Sequence, residues 1–156
     1  MSLTREEYLE LSHLCSNLDV KKVKTFEVVL FFCDFIESKI LPVNFYVNWD
    51  KYPEDKTQLL EFIDLTRQYI NKKISFEILK NWKIKISKSV DNESDPILSY
   101  VWQMVWPFTF DFLNDDEIES TEWFENMNCN IPHISINLWY EFVDMVKDRF
   151  SGRFLE

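Results

Sequence analysis

A chain of 156 residues that is 46% apolar and 17% aromatic can form one packed core, burying roughly two-thirds of the surface its unfolded form exposes. Glycine occurs once, at Gly152, which excludes phosphate-cradling glycine loops, dinucleotide fingerprints and the φ > 0 turns of hairpin-rich β folds. A net charge of −10 argues against nucleic acid and anionic lipid as partners of its acidic part.

The predicted elements are helices joined by polar turns. Thr4-Arg5-Glu6-Glu7 has the spacing of a capping box, and Tyr8, Leu11, Leu14 and Cys15 follow at helical intervals, predicting a first helix over about 4 to 16. From Lys22 to Ser38 the chain is almost wholly apolar around Val28-Val29-Leu30-Phe31-Phe32 and lacks alternation, so a central buried helix is expected. Pro42 ends or restarts the chain, Val43 to Trp49 reads as a short helix, and Asp50 to Lys56 as a loop. Thr57 opens a helix with the stripe Leu59, Leu60, Phe62, Ile63, Leu65, Tyr69 and Ile70, ending at Asn71-Lys72-Lys73.

Ser75 is expected to cap the next helix, which carries Phe76, Ile78, Leu79 and Trp82 and places Lys80, Lys83, Lys85 and Lys88 toward its C-terminus. Asp95-Pro96 is a strong helix start, because the carboxylate accepts orphan amides and proline lacks only a donor that would be orphaned anyway. That helix kinks or stops near Pro107, with Trp102, Trp106, Phe108, Phe110 and Phe112 read mainly as core. Asn114 to Asn130 reads as an acidic loop and a short helix begun at Ser120 or Thr121, punctuated by Pro132. A last helix over about Ser135 to Phe150 buries Trp139, Phe142, Val143, Val146 and Phe150. The expected fold is an all-α, single-domain bundle of about six or seven helices.

No catalytic constellation is visible, so no enzyme and no cofactor is expected. The two histidines, His13 and His133, offer little for general acid/base work or for zinc. Cys15, Cys33 and Cys129 are far apart, with no CxxC pair, and read as reduced structural thiols. The cluster Asn114 to Glu119 lacks the glycine that a calcium loop needs at its sharp turn. With no charged-then-apolar leader and no apolar run near the roughly 20 residues that span a bilayer, a cytoplasmic location is expected.

The charge is unevenly placed. From Ser89 to Val146 there is no Lys or Arg, yet the stretch carries twelve carboxylates, Asp111, Asp115, Asp116, Glu117, Glu119, Glu122, Glu125, Glu141 and Asp144 among them. The remainder is close to neutral, so the excess negative field belongs to this stretch, and a basic protein or cationic ligand is the expected partner. Trp123 and Phe124 lie within it, and an aromatic ringed by carboxylates suits an anchor for an Arg/Lys-rich surface.

The segment Leu60-Glu61-Phe62-Ile63 through Tyr69-Ile70-Asn71-Lys72-Lys73-Ile74-Ser75-Phe76-Glu77 to Trp82, then a helix from Asp95 and the acidic Asp111-Phe112-Leu113-Asn114-Asp115-Asp116-Glu117, resembles the bacterial colicin D-type immunity proteins. The likeness covers about residues 57 to 125. It implies a small acidic helical bundle that binds the basic nuclease domain of a toxin and covers its active site, with carboxylates where RNA phosphates would sit. The candidate partner-binding residues are Asp111, Asp115, Asp116, Glu117, Glu119, Glu122 and Glu125, with Trp123 and Phe124 as anchors. A helical interaction adaptor with no toxin-related role, and a carboxylate-dependent enzyme, are the other classes that the same acidity would suit.

Overall fold

A computed structural model describes residues 4–6, 9, 13, 22–91, 95–114 and 120–154, without the side chains of 120–122. The expected helix over 4 to 16 therefore lies largely outside the described residues, although Arg5, Glu6, Leu9 and His13 are helical. The fold is all-α, with seven α-helical segments among the described residues. They are α1 (Thr25–Phe35), α2 (Pro53–Ile70), α3 (Phe76–Lys80), α4 (Lys83–Val90), α5 (Pro96–Val105), α6 (Ser120–Ile134) and α7 (Ile136–Arg149). No helix among the described residues is long and apolar enough to cross a membrane.

Helix α1 is the buried centre that its unbroken apolar run predicts: Val28, Val29, Phe31, Phe32, Cys33 and Phe35 are all inside. Its start is fixed by the Lys24 N–H, which donates to Glu27 Oε2 at 2.9 Å. Phe31, Phe32 and Phe35 pack against Phe142 of α7 at ring distances of 5.6, 6.2 and 5.1 Å, so α1 and α7 share one core. Beyond Phe35 the helix widens into a π-helical turn, Ile36–Ile40, and the chain then runs into a loop that exposes Val43 and Phe45 while Leu41, Val47 and Trp49 stay in the core.

Four expectations are corrected. Val43 to Trp49 is not a helix but a bent loop, because Asn44 and Asn48 turn their side-chain oxygens onto the backbone amides of Trp49 (3.2 Å) and Asp50 (3.2 Å). Helix α2 begins at Pro53 rather than Thr57, proline suiting the first turn, and the Thr57 hydroxyl donates back to the Pro53 carbonyl within the helix. The helix expected after Ser75 is two short ones, broken at Asn81-Trp82 where Trp82 sets its ring 5.3 Å from that of Phe62, and Ser75 makes no side-chain cap bond. Pro132 lies inside α6, which runs on to Ile134; so close to the helix end, the ring removes only one backbone bond.

Other boundaries stand as read. Asp95 Oδ1 accepts from the amides of Ile97 (3.0 Å) and Leu98 (3.3 Å), and a 3-10 turn over Trp106–Thr109 ends the helix at Pro107. The Ser135 hydroxyl caps α7 through the Leu138 amide. At the end of α2 the break falls on Lys72, a non-glycine residue at φ 59 that closes the helix with bonds from Lys72 N–H to Tyr69 O and from Lys73 N–H to Gln68 O.

The second half is a sequential stack in which α4 packs on α5, α5 on α6 and α6 on α7. Phe124 of α6 lies 6.3 Å from both Phe142 and Phe150, so α7 folds back alongside α6. The Trp102 indole N–H donates to Asp55 Oδ1 at 3.0 Å, tying α5 to the start of α2.

Candidate functional site

The predicted anchors are core residues. Trp123 is 2% exposed and packs its ring on Phe108 and Phe112, while Phe124 is fully buried with its ring edge on Phe32 at 5.2 Å. Their helical phase explains this: Trp123, Phe124, Met127, Ile131 and Ile134 form the inner stripe of α6, while Glu125, Cys129 and His133 point outward. The Trp123 indole N–H has no acceptor among the described residues.

Of the candidate acids, Asp115, Asp116, Glu117 and Glu119 lie outside the described residues, as does the side chain of Glu122. Asp111 is half-buried and structurally engaged, accepting from the Tyr69 hydroxyl, from the Asn114 amide (3.3 Å) and from Asn114 Nδ2. Burial, and then the Asp111 carboxylate, push the Tyr69 phenol above its ordinary value. Glu125 is exposed on α6, Asp91 at the end of α4, and Glu141 and Asp144 share the outer face of α7.

Three arginines and two lysines among the described residues engage other groups. Arg67 holds Asp34 (2.9 Å) and Glu37 (2.6 Å), Arg149 holds Asp34 (3.3 Å), and Arg153 holds Glu27 (2.8 Å). The two arginines nearest in sequence to the acidic stretch thus serve carboxylates of α1. The ammonium groups of Lys83 and Lys85 lie over the rings of Phe110 (4.2 Å) and Trp82 (4.3 Å). Among the described residues, no carboxylate between Ser89 and Val146 makes an ion pair.

The remaining titratable candidates separate. Cys33 is buried, its thiol pushed up to about 12 chiefly by desolvation, while Cys129 is exposed. His133 stacks on Tyr100 at 5.0 Å, and His13 is exposed. No group of three or more His, Cys, Asp or Glu side chains among the described residues is placed to hold a metal ion. A cavity of about 340 Å³ beside the Trp106 ring is lined by Ser87, Asp91, Gln103 and Asn126, with the Trp106 indole N–H donating to Ser87 Oγ at 3.3 Å.

One exposed aromatic escaped the sequence reading. Phe45, in the loop after the π-helical turn, is 84% exposed, the most of any large apolar side chain among the described residues. Nothing in the spacing of Val43, Phe45, Tyr46 and Val47 separates the outward ring from the inward Val47; the two asparagine side-chain bonds decide it.

No protein-family model, curated protein or solved structure matches the chain.

Proposed function

We propose that this chain is an inhibitory binding protein that neutralises a basic protein, a toxin nuclease domain, through an acidic face contributed by residues 89–146. The observation that carries the reading is that, among the described residues, Asp91, Glu125, Glu141 and Asp144 make no ion pair, while Arg67, Arg149 and Arg153 are committed to Glu27 and Asp34 of α1 and Glu37 of the π-helical turn. A catalytic cleft built to attract phosphate also attracts a carboxylate-rich surface, and complementary fields speed encounter. Asp115, Asp116, Glu117, Glu119, Glu122 and Glu125 supply the face, and Asp111 acts by holding the entry to that segment against α2. In this reading no residue is catalytic, and the protein acts in the cytoplasm with Cys33 and Cys129 reduced.

The test is binding to a basic nuclease domain, sought first among the products of the genes that neighbour this one. Affinity is expected to fall steeply with salt, and equimolar protein is expected to abolish nuclease turnover. Replacing Asp115, Asp116, Glu119 and Glu125 with Lys is expected to weaken binding by at least about tenfold, mainly through the association rate. Binding that is indifferent to both salt and charge reversal rejects the assignment.

A further inference from the structure

Helices α4, α5 and α6 meet at the cavity of about 340 Å³ beside Trp106. Ser87, Val90 and Asp91 stand at i, i+3 and i+4 on one face at the end of α4. Gln103 and Trp106 come from α5 and the 3-10 turn that follows it, and Asn126 comes from α6. The volume is at the small end for ligand sites, which suits a side chain or a molecule of few atoms.

The hydrogen bonds already made around the cavity decide what it can take. The Ser87 hydroxyl donates to the Lys83 backbone carbonyl at 2.8 Å and accepts the Trp106 indole N–H at 3.3 Å, so both of these donors are spent. Ser99 Oγ donates to the Val90 carbonyl at 2.6 Å and accepts from Gln103 Nε2 at 3.3 Å, while Asn126 Nδ2 donates to the Gln103 backbone carbonyl at 3.2 Å. One amide hydrogen is left on each of Gln103 and Asn126. Against them stand Gln103 Oε1 and both carboxylate oxygens of Asp91, which make no bond among the described residues. Accepting capacity exceeds donating capacity, so a ligand rich in donors completes the set.

Charge points the same way. Among the described residues that line the cavity, Asp91 is the charged one. Of the other described charges on these elements, Lys83 stands over the ring of Phe110 (4.2 Å) and farther from that of Trp106 (5.6 Å), Lys85 stands over Trp82 (4.3 Å), and Asp95 caps α5. His133 is stacked on Tyr100, and the exposed Lys88 and Glu125 oppose one another in sign. A planar cation with several N–H donors satisfies the free acceptors and can lay its face on the half-buried Trp106 ring, which are the properties of a guanidinium.

We infer that this cavity is a socket for a guanidinium group, with Asp91 and Gln103 as its acceptors and Trp106 as its platform. The inference rests on the reading of the chain as a binder of basic proteins only for the source of that group, an arginine side chain of the partner.

The experiment uses the nitrogen-labelled full chain and follows the Trp106 indole N–H resonance by NMR, identified by its absence in Trp106→Phe. The probes are ethylguanidinium and ethylurea, a neutral compound of similar planar shape. Ethylguanidinium is expected to shift the resonance saturably with a Kd of about 10 mM, and ethylurea to leave it in place at the same concentration. Asp91→Asn is expected to weaken the guanidinium about fivefold, as for an exposed pair, with an unchanged melting midpoint. Lys83→Met, which removes the ammonium beside the Trp106 ring, is expected to tighten it. Nα-acetylarginine methylamide, with a peptide bond on either side, is expected to bind as well as ethylguanidinium, and its exclusion overturns a partner side chain as the source. Equal shifts by ethylurea, shifts that stay linear with concentration, or an Asp91→Asn variant that binds ethylguanidinium like the parent overturn the socket and leave the acidic face intact. Absence of nuclease binding with the guanidinium still bound rejects the inhibitory reading instead.

Discussion

The Tyr69 hydroxyl donates its proton to the Asp111 carboxylate, joining the last turn of α2 to the residue where the acidic segment begins. The bond crosses 42 positions of sequence and lies at a ring cluster in which Tyr69 meets Phe76 at 5.6 Å and Phe112 at 5.4 Å. Its removal in Tyr69→Phe is expected to cost about 2 kcal/mol, the range for a hydrogen bond to a charged group. The pH dependence carries a sign. A phenol whose folded value is raised stabilises the fold below the unfolded value of about 10, and that contribution is lost as pH rises toward the folded value. Urea midpoints measured from pH 8 to 11 are expected to fall more steeply in the parent than in Tyr69→Phe; identical slopes would refute the bond.

Phe124 and Phe45 give opposite expectations for the same change. Phe124→Ala empties a site enclosed by Phe32, Phe142 and Phe150 and is expected to cost about 3–5 kcal/mol. Phe45→Ala removes a side chain already in solvent and is expected to stay within about 0.5 kcal/mol of the parent. Thermal denaturation of the two variants decides between core and surface for each ring.

Acid stability should report Glu27. Partial burial raises its carboxyl, but the Lys24 amide and the Arg153 guanidinium outweigh that and leave it below the ordinary value. A depressed carboxylate stabilises the fold above its unfolded value, near 4.5, and the contribution disappears as pH falls through the folded value. Glu27→Gln is expected to flatten the loss of stability between pH 5 and pH 3, and an unchanged acid limb in denaturant titrations would contradict the Arg153 pairing.

Helices with long apolar runs or strict helical spacing were legible: α1 from its unbroken core run, α5 from Asp95-Pro96, and α7 from the phase of Trp139, Phe142 and Val146. Each announces itself through a local rule. The loop at Phe45 was not legible, because its shape depends on which amides Asn44 and Asn48 find, and that choice is made by the burial of Trp49 and Val47. The misplacement of Trp123 and Phe124 came from weighing charge along the chain above helical phase; with Met127 and Ile131 included, the inner stripe of α6 is visible in the spacing. The pairing of Arg149 and Arg153 with α1 joins positions more than a hundred residues apart, and no local pattern foretells it.

From α4 to α7 each helix finds its main partner in the next one made, so the contacts of that half close short loops of chain. Such arrangements assemble quickly, because little loop entropy is lost before contacts form. Helix α1 differs: its Phe31, Phe32 and Phe35 wait for Phe142 of α7, more than a hundred positions later. During synthesis the most apolar helix is therefore made early and covered last, and a nascent chain stalled before α7 would display that phenylalanine row to the chaperones of the cell.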